Sequence, residues 1–240
     1  MIIIAHDFET TGLDPDTCGV VQFAVGVIEI ADSDPSDISL LENHVELVHP
    51  GTAITEETTK IHGITDTDVA GLPNWKESLR KVYAGIMERY PNIQVVMGYN
   101  NRNYDDPIAY RAGMPRLLSF DLFDYGREMK RTKQVDKARL VDVYKKLTGK
   151  ELSGAHDAWI DIAGCIEIIP HLSHEFSHST LPEMIDFATP NINPDALVGF
   201  GKHAERRICE LPNQYINWLL TKSYVMPRDL IATVKHLRGL

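Results

Sequence analysis

From Val20 to Ile30 the chain reads Val-Val-Gln-Phe-Ala-Val-Gly-Val-Ile-Glu-Ile, a run rich in β-branched residues that is expected to be a strand. A strand needs partners, and the sequence offers two. Ile2 to Phe8 is a shorter apolar run before it, and Glu42 to Val48 comes after it, ended by His49-Pro50-Gly51. Asp32 to Asp37 (Asp-Ser-Asp-Pro-Ser-Asp) has the composition of the turn between the second and third strands. The chain therefore opens as a β meander.

Beyond the meander, helices and strands alternate. Trp75 to Tyr90 places Leu79, Val82, Tyr83, Ile86 and Met87 on one helical face, Pro91-Asn92 ends it, and Gln94 to Met97 reads as another strand. Helices are expected over Pro107 to Ala112, Leu122 to Arg131, Ala138 to Leu147 and Ala158 to Ile168. Three strands followed by alternating helices and a strand predict an α/β domain with a mixed β-sheet flanked by helices. Ser173 to Pro194 is polar and carries Pro182, Pro190 and Pro194. The expected division is a domain over residues 1–175, a linker over 176–194 and a small C-terminal module over 195–240. Such a short module lies near the lower limit for independent folding.

With 240 residues, 43% of them hydrophobic, the chain can bury a full core. No apolar run reaches the roughly 18 residues of a membrane span, and the first residues lack the basic flank and cleavage site of a signal peptide, so a cytoplasmic protein without a membrane partner is expected. Cys18, Cys165 and Cys209 are widely spaced, which predicts reduced thiols.

The net charge is −10. It is unevenly placed: residues 1–80 sum to −12, residues 126–150 to +6 and residues 195–240 to +3. An acidic half that can hold cations beside basic segments that can hold phosphates suits a metal-dependent nuclease. Lys130, Arg131, Lys133 and Lys137 also read as a solvated helix face, the better reading from charge alone.

Asp7-Phe8-Glu9 sets two carboxylates at i and i+2 on one face of a strand, with an aromatic ring directed the other way into the core. Two carboxylates meeting at a strand end make a half-cage for a hard divalent cation. Two exposed acids at a strand end are the plain alternative.

The run Asp7-Phe8-Glu9-Thr10-Thr11-Gly12-Leu13 resembles the first motif of the DEDD exonucleases, which have an RNase H-like core. His6 to Thr10, Gln22-Phe23-Ala24 and Ile61-His62-Gly63-Ile64-Thr65 are similar to segments of exonuclease I and its relatives. Gly98-Tyr99-Asn100-Asn101-Arg102-Asn103-Tyr104-Asp105 resembles the second motif and selects Asp105 over Asp106, with Asn101 as the alternative to Asn100. His156 to Asp161 fits the His-x₄-Asp third motif of the DEDDh (DnaQ-like) branch; the sister branch has Tyr where this chain has Asp157. Tyr104 stands where Phe is commoner. Asp121 is expected to cap the helix that begins beside it.

The resemblance covers about two thirds of the chain and implies a 3′→5′ exonuclease. It implies that Asp7, Glu9, Asp105 and Asp161 hold two Mg²⁺ ions, with Mn²⁺ able to substitute, and that His156 is the general base. Imidazole suits that role because it titrates near neutral pH. Thr10, Thr11, Leu13, His62, Asn100 and Tyr104 are the implied contacts to the terminal nucleotide, and Phe8 is either a stacking ring or core.

DNA 3′ ends are the expected substrate, because Phe200-Gly201-Lys202-His203 resembles the module that ends exonuclease X-like enzymes. Lys202, Arg206, Arg207, Lys222, Arg228, Lys235 and Arg238 make that module basic, so it is expected to add non-specific DNA contacts. Phe200, Tyr215 and Trp218 are expected to be its core rather than stacking rings. The alternatives are an exoribonuclease of the oligoribonuclease or RNase T kind, and an inactive nucleic-acid-binding subunit.

Overall fold

The computed structural model describes residues 1–222, 226 and 228–239, with the side chain of Arg228 outside that description. Contacts divide the chain into two compact units, Met1–Ala188 and Thr189–Leu240.

In the first unit β1 (Ile2–Thr10), β2 (Val20–Ala31), β3 (Asp34–Leu47), β4 (Val95–Gly98) and β5 (Leu118–Asp121) form one mixed sheet in the order β3-β2-β1-β4-β5. β2 runs antiparallel to both β1 and β3, whereas β4 is parallel to β1 and β5 is parallel to β4. The expected turn at residues 32–37 is tighter than its composition implied, because β3 already pairs at Asp34 with Ala31. Asp34 accepts hydrogen bonds from the backbone N–H and hydroxyl of Ser36. Pro35 is tolerated because β3 is an edge strand, where a missing N–H breaks no necessary ladder bond.

The pleat of β1 sorts its side chains between two cores. Ile3 and Ala5 pack with Met97, Phe120, Tyr125, Ile162 and Cys165 under α5 (Phe123–Arg131), α6 (Leu140–Thr148), α7 (Ala158–Phe176) and α8 (Leu181–Ala188). Ile4 and Phe8 pack on the opposite face with Leu79, Tyr83, Ile86 and Ile108 under α3 (Trp75–Arg89) and α4 (Asp105–Ala112). By the same period of two, Asp7 and Glu9 fall on the α7 face.

Several elements differ from expectation. α1 (Glu56–His62) and α2 (Asp66–Val69) occupy what looked like loop, with Thr55 accepting the Thr58 N–H to cap α1 and Gly63, at φ 78°, ending it. β5 is four residues long, short enough to hide in a sequence pattern. α7 continues to Phe176 with Pro170 inside it, and α8 lies within the expected 176–194 linker. The linker's polar appearance came from the capping residues of α8: Glu183 accepts the N–H groups of Ser179 and Thr180, and Thr180 accepts that of Glu183. Leu181, Met184, Ile185 and Ala188 meanwhile complete the first core.

The basic stretch 126–150 is largely a solvated surface, with at least four of its nine Lys and Arg in ion pairs. Arg131 pairs with Glu128, Arg139 with Asp142, Lys145 with Glu151 and Lys150 with Glu167. Among the described residues, no helix is long and apolar enough to cross a membrane.

The second unit has its own core of Val198, Ile208, Leu211, Tyr215, Ile216, Leu219, Leu230, Ile231 and Val234, built on α9 (Asn213–Thr221) and α10 (Arg228–Arg238). Phe200 packs against it, whereas Trp218 stands outside, 43% exposed.

Candidate active site

Asp7 and Glu9 project from the end of the central strand, and three neighbouring elements close around them. α4 begins at Asp105, whose Oδ1 accepts the Phe8 N–H at 3.1 Å, so the third acid is tied to the backbone between the first two. α7 brings Asp161. Its start is fixed by Asp157, which accepts the N–H groups of Trp159 and Ile160, and by Gln22 on β2, directly opposite Glu9. Gln22 donates to Asp157 at 3.2 Å and accepts the Ala158 N–H at 3.1 Å.

His156 immediately precedes this cap. Its φ of 73° is left-handed, an uncommon conformation for a residue with a Cβ, and the imidazole is exposed. Its N–H reaches Asp161 Oδ2 at 3.3 Å. One potential ligand atom each from Glu9, His156 and Asp161 lies within 4.8 Å of the others.

The acids repel one another. Burial, and then the charges of Asp105, Asp161, Glu9 and Asp157, hold the Asp7 carboxyl well above the usual range. Burial, with Asp161 and Asp157, pushes Glu9 up to about 8. Burial and Asp106 raise Asp105, and burial raises Asp161 against the opposing bond and charge of His156. Like charges crowded in a sheltered site store a repulsion that a cation relieves. Their oxygens are hard donors of the kind Mg²⁺ accepts, so the residues fit a divalent metal.

The other residues singled out from the sequence divide into two groups. Tyr104, Thr10 and Gly12 meet at their hydroxyls and carbonyl, which pins the loop leaving β1. The Thr11 hydroxyl accepts the Gly19 N–H and closes the same loop, leaving Leu13 at its tip 88% exposed. His62 accepts the Ile64 N–H through Nδ1; burial holds its imidazole below the usual range, and the Thr10 backbone and His156 stand beside it. Asn100 lies at the end of β4, where a left-handed φ of 66° lets its N–H donate to Asp121. Asp121 also accepts the Phe123 N–H at 3.0 Å. Phe8 is core.

Two sets of contacts were not foreseen from the sequence. Gln22 sits in a run read as a strand and noted for its resemblance, and nothing local reveals that its amide reaches Asp157. His6, Asp106, Tyr83 and Asn101 form a buried network behind the acids: His6 Nε2 meets Asp106 Oδ1 at 2.8 Å, His6 Nδ1 meets the Tyr83 hydroxyl at 2.9 Å, and Asn101 donates to Asp106 at 3.0 Å.

The sequence profile of the exonuclease family (RNase T) matches residues 4–169 and so takes in every acid of the site together with His156. The chain belongs to the exonuclease family. An uncharacterized exonuclease, CP81 of Escherichia phage 186, is 31% identical over 119 residues, which are 50% of this chain and 53% of the phage protein. The chain thus spans about half the length of the curated relative it matches. Zinc-bound Escherichia coli exonuclease I in complex with single-stranded DNA is similar in structure, with a TM-score of 0.58 and 23% identity over 78% of this chain and 42% of that one. A second exonuclease I structure has a TM-score of 0.58 and 20% identity over 95% of this chain and 61% of that one. These structures share the fold, so this exonuclease-family chain has the mixed-sheet, RNase H-like architecture.

Proposed function

We propose that the protein is a DEDDh-type exonuclease that removes nucleoside 5′-monophosphates from the 3′ ends of DNA, using two Mg²⁺ ions. The observation that carries this reading is the convergence of Asp7, Glu9, Asp105 and Asp161, each with its carboxyl held above the usual range, beside an exposed imidazole.

Asp7, Glu9, Asp105 and Asp161 would hold the ions. Bound divalent ions lower the pKa of water and neutralise charge on a leaving phosphodiester oxygen. His156, exposed and within reach of Glu9 and Asp161, accepts the proton of the attacking water. Its left-handed backbone turns the N–H toward Asp161, so the loop that presents the base is tied to a metal-binding acid. Leu13 and Thr10, on the loop that Tyr104 braces from the start of α4, offer with Tyr104 a wall for the terminal nucleotide, and His62 lies next to Thr10.

DNA as the polymer is supported by the single-stranded DNA bound to the exonuclease I structure. Digestion of 5′-labelled single-stranded DNA, duplex DNA and RNA of one sequence in Mg²⁺ tests direction and sugar together. A ladder shortening from the 3′ end, fastest on DNA and absent in Asp7→Ala, is expected. RNA cleaved faster than DNA would move the assignment to an exoribonuclease, and turnover near wild type in Asp7→Ala would end the metal mechanism.

A further inference from the structure

α9 places Tyr215 and Trp218 one turn apart, and their rings stack with centroids 5.2 Å apart and planes 21° from parallel. His203, in the short turn Gly201–His203, packs on Tyr215 with ring centroids 4.4 Å apart. The three rings form a linked series. Tyr215 belongs to the core of the second unit, but Trp218 keeps 43% of its surface in solvent although its ring is already supported from behind. An indole held flat by a second aromatic ring and left open is pre-organised, because little side-chain freedom remains to be lost when another flat ring settles on it.

Cations lie near the His203 end of the series. Lys202 and Arg206 lie close enough to His203 to help burial hold its imidazole below the usual range. The second unit carries seven Lys and Arg against four Asp and Glu in a chain whose net charge is −10, so its sign is opposite to that of the chain as a whole. An aromatic platform edged by cations matches a ligand with flat rings and a chain of phosphates.

We propose that Trp218, backed by Tyr215 and, beyond it, by His203 with Lys202 and Arg206 near that imidazole, is a stacking platform for single-stranded nucleic acid. The choice of a strand as occupant rests on the nuclease reading of the first unit as well as on this charge. Stacking reads any base, so such a platform holds a strand without selecting sequence, as non-specific trimming requires.

The full chain is titrated in chelator, where no hydrolysis occurs, with thymidylate and uridylate strands of about 20 nucleotides, a length that exceeds one stacking site. Tryptophan emission should be quenched. Trp218→Phe should remove the quench while keeping most of the affinity, because Phe preserves an aromatic face; Trp75 and Trp159 remain as the unquenched background. Trp218→Ala should weaken binding about 5- to 100-fold. Lys202→Ala with Arg206→Ala should lower the slope of log affinity against log salt by about 1.4. The strand type bound more tightly identifies the sugar. A quench that survives Trp218→Phe, or wild-type affinity and salt slope in both alanine variants, overturns the platform. Parallel digestion in Mg²⁺ separates the two readings: hydrolysis by a wild-type chain that shows no Trp218 quench overturns only the platform, whereas quench and binding by a chain that never hydrolyses supports the platform and overturns the proposed activity.

Discussion

His6 Nε2 lies 2.8 Å from Asp106 Oδ1, both side chains are buried, and each residue adjoins a candidate metal-binding acid, Asp7 on β1 and Asp105 on α4. This bond and the Phe8 N–H to Asp105 join strand and helix at two neighbouring points. Burial alone would raise the Asp106 carboxyl; the hydrogen bond and charge of His6, with Ser119 and Asn101, bring it below the usual range. A depressed carboxyl adds stability that is present at neutral pH and lost as pH falls through its folded value. His6→Ala should therefore cost about 3–5 kcal/mol at neutral pH, because it leaves a buried carboxylate unpaired. Urea denaturation measures the loss, which should shrink as the pH is lowered through the carboxylate range.

Glu9 supplies the opposite sign. With its carboxyl pushed from 4.5 up to about 8, the folded state binds a proton that the unfolded chain has released, so metal-free stability should fall as pH rises from about 4.5 to about 8. Thermal unfolding in chelator should show a Tm declining across that window, and Glu9→Gln should flatten the decline. Added Mg²⁺ should raise Tm more at the upper end of the window than in its middle, because at the lower pH it competes with protons. An equal rise at both would mean that Glu9 is not a ligand.

His156 should divide rate from binding. His156→Asn keeps a residue that tolerates the left-handed φ of 73° while removing the base, so the rate should drop about 10²- to 10⁴-fold with affinity for the strand retained. Single-turnover rates and binding in Ca²⁺, which coordinates without positioning the reactants well, separate the two effects. A variant that loses affinity at full rate would assign His156 to substrate binding.

Asp157 is a positioning residue whose replacement should be felt twice. Asp157→Ala removes the cap of α7 and the partner of Gln22, costing about 1 kcal/mol of stability. It also frees the turn that carries His156 and Asp161. Asp157→Asn, which keeps a capping oxygen, should restore most of the Tm; kcat restored with it would confirm that Asp157 acts through placement.

Local pattern was enough for some of this protein. The two-residue period of β1 puts Asp7 and Glu9 together and sends Phe8 to the core, because a pleated backbone alternates faces whatever surrounds it. The α3 face and the mixed sheet were legible for the same reason: they repeat a short-range period. Partners distant along the chain were not legible. Motif resemblance told Asp105 from Asp106, but their partners, the Phe8 amide for one and His6, 100 residues away, for the other, exist only in the folded chain. α8 looked like linker because its capping residues are polar and its apolar face has meaning only against a core assembled from Phe120, Tyr125 and Leu172. Trp218 looked like core and is open, because burial depends on what the other elements of its unit already cover. Period is a property of neighbouring residues along the backbone; pairing, burial and the raised carboxyls depend on distances that exist only after the chain has closed on itself.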